Sequence, residues 1–117
     1  MAVLKAMIPI FWLLSGGALA QSAAPATKVL ALDDMSCAHW IRTKPEPELR
    51  GPSLDWARGF LSGHNYGQPN KQVSVVSNGT IAGFIDRHCA EKPTSSIELA
   101  LMRMSDQYSG RNAPITR

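Results

Sequence analysis

Two cysteines, Cys37 and Cys89, allow a single cross-link, and whether it forms constrains this 117-residue chain more than any other feature. The answer turns on the N-terminal segment. Lys5 is followed by the apolar run Ala6-Met7-Ile8-Pro9-Ile10-Phe11-Trp12-Leu13-Leu14 and then by Ser15-Gly16-Gly17-Ala18-Leu19-Ala20. That is the layout of a secretory signal, with small residues where the peptidase needs them. A retained anchor is the alternative, but the uncharged stretch from Ala6 to Ala20 is shorter than the roughly 20 residues that span hydrocarbon. Residues 1–20 are therefore expected to be a signal peptide cut between Ala20 and Gln21, with no cysteine after the cut to carry a lipid. An exported chain meets an oxidising compartment, where Cys37 and Cys89 are expected to pair; two free thiols are the alternative. Closing a loop of about 53 residues contributes roughly 4 kcal/mol on chain-entropy arithmetic, a large share of a small domain's stability.

Cleavage would leave about 97 residues, enough for one domain and one modest core. The formal net charge is +3, and Lys5 leaves with the signal. Lys and Arg are scattered from Lys28 to Arg117 and never form a run, so neither a nucleic-acid footprint nor an anionic-membrane patch is indicated. A soluble product is expected, with no nucleic-acid partner and no membrane contact after cleavage.

Residues 21–32 read as a flexible leader, rich in Ala, Ser, Pro and Thr at first, with Val29-Leu30-Ala31-Leu32 as a docking segment. A helical domain is expected over 33–109. Asp33 or Asp34 can cap a first helix running to about Thr43, with Cys37, Trp40 and Ile41 on one face, before Lys44-Pro45-Glu46-Pro47 ends it. Ser53 is the expected N-cap of a second helix from Leu54 to about Tyr66, with Asp55 in its first turn. Trp56, Phe60 and Gly63 share a stripe there, widened by Ala57 and Leu61. Gly59 and Gly63 each cost a helix about 1 kcal/mol relative to Ala, which calls for close approach of another helix or chain segment. Lys71 to Gly83 is ambiguous: Val73-Ser74-Val75-Val76, Asn78-Gly79 and Thr80-Ile81 fit a hairpin, whereas Ile81, Phe84, Ile85 and His88 or Cys89 fit a third helix from about Gly79 to Glu91. The helix is preferred. Ser95-Ser96-Ile97-Glu98 reads as a capping box for a last helix carrying Ile97, Leu101, Met104 and Tyr108, stopped by Gly110 and followed by a flexible tail over 110–117. The fold class expected is mainly α: about four short helices tied by one disulfide.

Chemistry is sparse. His39, His64 and His88 are the only histidines and fit no zinc spacing; a two-cysteine, two-histidine set from Cys37, His39, His88 and Cys89 would need both thiols free. A cysteine nucleophile with His88 or His39 as base likewise needs a free thiol, so a thiol- or metal-dependent enzyme is the alternative only if the cysteines stay reduced. Ser62-Gly63-His64 is no nucleophile elbow. No catalytic residue, metal site or cofactor is expected. Trp40, Trp56, Phe60 and Phe84 read most simply as core, while Trp56, Gly59, Phe60, Gly63 and Tyr66 are the candidate protein-contact face.

Ser36-Cys37-Ala38-His39-Trp40, then Trp56-Ala57-Arg58-Gly59-Phe60-Leu61-Ser62-Gly63-His64-Asn65, then Ile81-Ala82-Gly83-Phe84-Ile85-Asp86-Arg87-His88-Cys89 and a closing amphipathic helix resemble the HdeA-like group of small periplasmic proteins. The resemblance covers about residues 33–108. It implies a helical fold with one disulfide, Cys37 to Cys89, between the first and third helices, and a periplasmic location. Two roles come with it: an acid-stress chaperone for unfolded client proteins, or an immunity protein of the Tai type neutralising a toxin delivered by type VI secretion. Either is a non-enzymatic protein-binding function; association into a homodimer is left open.

Overall fold

The computed structural model describes residues 28–111. The expected signal peptide, the leader up to residue 27 and the tail from residue 112 lie outside the described residues. Four helices and a 3-10 turn follow in order: α1 (Cys37–Arg42), the turn (Pro47–Arg50), α2 (Gly51–Gly67), α3 (Asn78–Glu91) and α4 (Ile97–Tyr108). No strand occurs among the described residues; the one strand-like contact is an isolated bridge between Ser36 and Ser96. The fold is mainly helical, as the periodicity implies.

Helix boundaries depart from expectation where neighbouring residues compete to cap. Ser36 caps α1, its hydroxyl accepting from His39 N at 3.1 Å. Asp34 supports that cap instead of forming it, accepting from Ser36 N at 3.0 Å and Ser36 Oγ at 2.6 Å. Those two hydrogen bonds hold the Asp34 carboxyl below its ordinary pKa. The second helix begins at Gly51, not Leu54, and Ser53 is buried inside its first turn. The reason is that the 3-10 turn runs straight into α2: Gly51 N donates to Glu48 O, and Pro52, with no amide to satisfy, sits at the helix start. Ser77 caps α3, accepting from Thr80 N at 3.1 Å, so Asn78-Gly79 forms a first helical turn and not a hairpin turn. For α4 the cap is Ser96, accepting from Leu99 N at 3.2 Å; Leu99 occupies the position where a capping box needs its acid, so Ser95 and Glu98 make no box.

Cys37 and Trp40 from α1, Ala57 and Leu61 from α2, Ile81, Phe84, Ile85 and Cys89 from α3, and Ile97, Ala100, Leu101 and Met104 from α4 form one core. Full burial of side chains such as Ile85 and Leu101 contributes about 1.5–3 kcal/mol each. Ile41 does not join them and is 47% exposed, because α1 turns only its Cys37 and Trp40 side inward. The disulfide Cys37–Cys89 joins α1 to α3 with the Cα atoms 5.2 Å apart, and there is no free cysteine. Backbone bonds reinforce it: Cys37 N donates to Ser95 O at 3.0 Å and Ile97 N to Met35 O at 2.7 Å.

The α2–α3 connection is an extended strap laid along α2. The Asn65 side-chain amide pairs with Val73 as a strand would, donating to Val73 O at 2.9 Å and accepting from Val73 N at 2.8 Å. Arg58 holds Val76 O at 2.8 Å. Beyond α4, Gly110 takes a left-handed φ of 74°, which glycine adopts without strain, and its N–H donates to Gln72 O at 3.0 Å. Residues 110 and 111 are therefore tied to the strap, Arg111 O also accepting from Ser74 Oγ at 3.2 Å.

Candidate protein-contact face

At about 100° per residue, Ser53, Ala57 and Leu61 turn one side of α2 to the core, and Trp56, Gly59, Phe60 and Gly63 fall on a second side roughly a third of a turn away. Trp56 and Phe60 are half-buried, their rings stacked with centroids 5.4 Å apart. The expectation that they are simply core is thus half met, unlike Trp40 and Phe84, which are buried. Glycine gives this second side its shape. A Cβ built at Gly59 or Gly63 meets nothing within 4 Å, so no other part of the described chain makes the close approach that the two glycines suggested.

An open trough of about 680 Å³ results, floored by the glycines, walled on one side by Trp56 and Phe60 and bordered by 28–30. That N-terminal stretch docks through its backbone: Trp56 Nε1 donates to Leu30 O at 2.7 Å, while the Leu30 side chain is 91% exposed. Tyr66 stands at the far end of the stripe, 93% exposed. All five candidate residues therefore share one stretch of α2, and none of them carries a charge.

The histidines do not converge. His64 Nε2 lies 3.0 Å from Lys71 O and 3.2 Å from Ser109 Oγ; the carbonyl can only accept, so the ring donates and latches α2 to the strap. His39 lies 3.9 Å from the Asp34 carboxylate at the surface. His88 is buried, with Nε2 2.7 Å from Ser95 Oγ and Nδ1 lacking any partner. Burial, then Arg103 and Lys92, pushes its pKa down, keeping the ring neutral. Cys37 and Cys89 spend their sulfurs on each other, and among the described residues no three His, Cys, Asp or Glu side chains gather as a metal set. No described helix is long and apolar enough to cross a membrane.

One polar cluster answers to no motif in the sequence. Trp40 Nε1 donates to Asp86 Oδ1 at 2.7 Å, and buried Arg50 lies over the Trp40 ring with its guanidinium 3.8 Å from the ring centre and 3.2 Å from the same carboxylate oxygen. Trp40 and Asp86 are 46 positions apart in the chain, so nothing local announces their pairing. No family model, curated protein or solved structure matches this chain.

Proposed function

We propose that this protein is a non-enzymatic, periplasmic protein-binding domain that offers the second side of α2 to its partner. The observation that carries the reading is the aromatic and glycine trough, whose α2 side carries no charge and whose edge is Lys28, Val29 and Leu30, with Tyr66 93% exposed beside it. Exposed aromatic anchors next to a shallow floor are what protein interfaces use, and the glycines admit a partner backbone or side chain closely. The resemblance to HdeA-like proteins makes an acid-stress chaperone the first form of this reading and an immunity protein with one dedicated partner the second.

The test is aggregation of an unfolded client at neutral and acidic pH, with the oxidised protein and with Gly63→Glu. The substitution places a carboxylate at the trough, at a position where an added Cβ meets no neighbour within 4 Å. Suppression by the parent protein only in acid, lost in Gly63→Glu, supports chaperoning through this face. No suppression at either pH removes the chaperone form and turns the search to a dedicated partner, captured by the parent protein and not by the variant. Equal behaviour of the two proteins in both assays overturns the face itself.

A further inference from the structure

A second concavity lies between α3 and α4, with a volume of about 190 Å³. Its position follows from helical spacing: Phe84, Arg87, His88 and Glu91 line it from α3, and Arg103, Gln107 and Tyr108 from α4. The floor is aromatic. Phe84 is buried and meets Tyr108 edge to face, with ring centroids 6.3 Å apart. The rim is cationic. Arg103 has only Glu91 at 3.4 Å, an exposed pair of little strength, and Arg87 has no ion pair or hydrogen bond among the described residues, its guanidinium lying 5.9 Å from the Phe84 ring. Two guanidiniums thus face one carboxylate, and His88 in the same wall is neutral with a buried Nδ1 that nothing satisfies.

We propose that this cleft binds a small carboxylate with an apolar body, its carboxylate on Arg87 and Arg103 and its body on the edges of Phe84 and Tyr108. Charge and shape both select that class. A planar carboxylate matches the guanidinium fork and displaces Arg103 from its weak hold on Glu91. The space is smaller than the roughly 300 Å³ at which drug-sized pockets begin, which limits the body to about one ring or a short alkyl chain. The cleft is separate from the α2 trough, with which it shares no lining residue.

The experiment is an NMR titration of the oxidised protein with benzoate, with benzyl alcohol as the neutral counterpart and with sulfate as an anion lacking an apolar body. Benzoate is expected to saturate, with the largest shifts at Arg87, Arg103 and Tyr108, and the other two to bind more weakly. The double substitution Arg87→Ala, Arg103→Ala, at exposed positions that leave the core intact, should weaken benzoate by about tenfold or more. Equal binding of benzyl alcohol overturns carboxylate recognition, and equal binding of sulfate overturns the role of the aromatic floor. Absence of saturation, or shifts centred away from α3 and α4, overturns the site.

Discussion

Replacing Arg50 with Met tests whether the Trp40, Arg50 and Asp86 cluster holds α1, the 3-10 turn and α3 together. Arg50 is 8% exposed, and Met keeps most of its apolar stem while deleting the guanidinium. Four interactions disappear. The ion pair with Asp86 at 3.2 Å is discounted to under about 1 kcal/mol, because the Asp86 side chain is 42% exposed and water screens it. The bonds to Trp40 O at 3.0 Å and to Thr43 Oγ1 at 3.2 Å are worth about 1 kcal/mol each. They are not worth more because Trp40 O keeps the Thr43 hydroxyl at 2.7 Å and is not orphaned. The guanidinium over the indole adds about 1 kcal/mol. Met returns part of this by packing on Trp40, so the expected loss is about 3 kcal/mol, roughly two orders of magnitude in the folding equilibrium. Urea unfolding of the oxidised protein, followed by circular dichroism, measures it. Asp86→Asn is the control: its amide oxygen still accepts from Trp40 Nε1, so only the screened charge is lost and the cost stays under about 1 kcal/mol. A loss below about 1 kcal/mol for Arg50→Met, or equal losses for the two variants, would refute this account of the cluster.

Three further outcomes are expected. Reducing the disulfide, which spans 52 positions, should cost about 4 kcal/mol of stability on loop-closure arithmetic, read as a lower urea midpoint in reductant; an unchanged midpoint would contradict it. Because the folded-state pKa of His88 lies below its ordinary 6.5, the unfolded chain takes up a proton first as pH falls. The His88 contribution is therefore complete above pH 6.5 and is lost progressively below it; the lowered Asp34 carboxyl acts in the same sense further into the acid range, below its ordinary 3.8. Unfolding midpoints across this range should fall toward acid, and His88→Asn should flatten the upper part of the fall. Gly59→Ala and Gly63→Ala should each stabilise the isolated protein by about 0.5–1 kcal/mol, since neither methyl meets a neighbour, while narrowing the trough; a loss of thermal stability would mean that another segment does pack there.

The sharing of one face by Trp56, Gly59, Phe60, Gly63 and Tyr66 is legible in the sequence alone, because side-chain direction along a helix is set by the backbone's own 3.6-residue turn. The same holds for the core positions of α3 and α4, and for the single cysteine pairing, which two cysteines leave no choice about. What local pattern could not decide is which of several adequate groups is used. Ser96 prevails over Ser95 as the cap of α4 because Ser95 is held elsewhere, its carbonyl by Cys37 and its hydroxyl beside His88. Ile41 has the spacing of a core residue yet faces water, because a six-residue helix covered on one side has no second surface to bury it. Val73 to Val76 has the composition of a strand but gains its bonds from Asn65 and Arg58 side chains, so no partner strand is needed. The Trp40, Arg50 and Asp86 cluster and the α3–α4 cleft exist only once helices distant in sequence are packed. Periodicity is a property of each segment's covalent geometry; the choice among polar partners depends on distances that only the assembled fold defines.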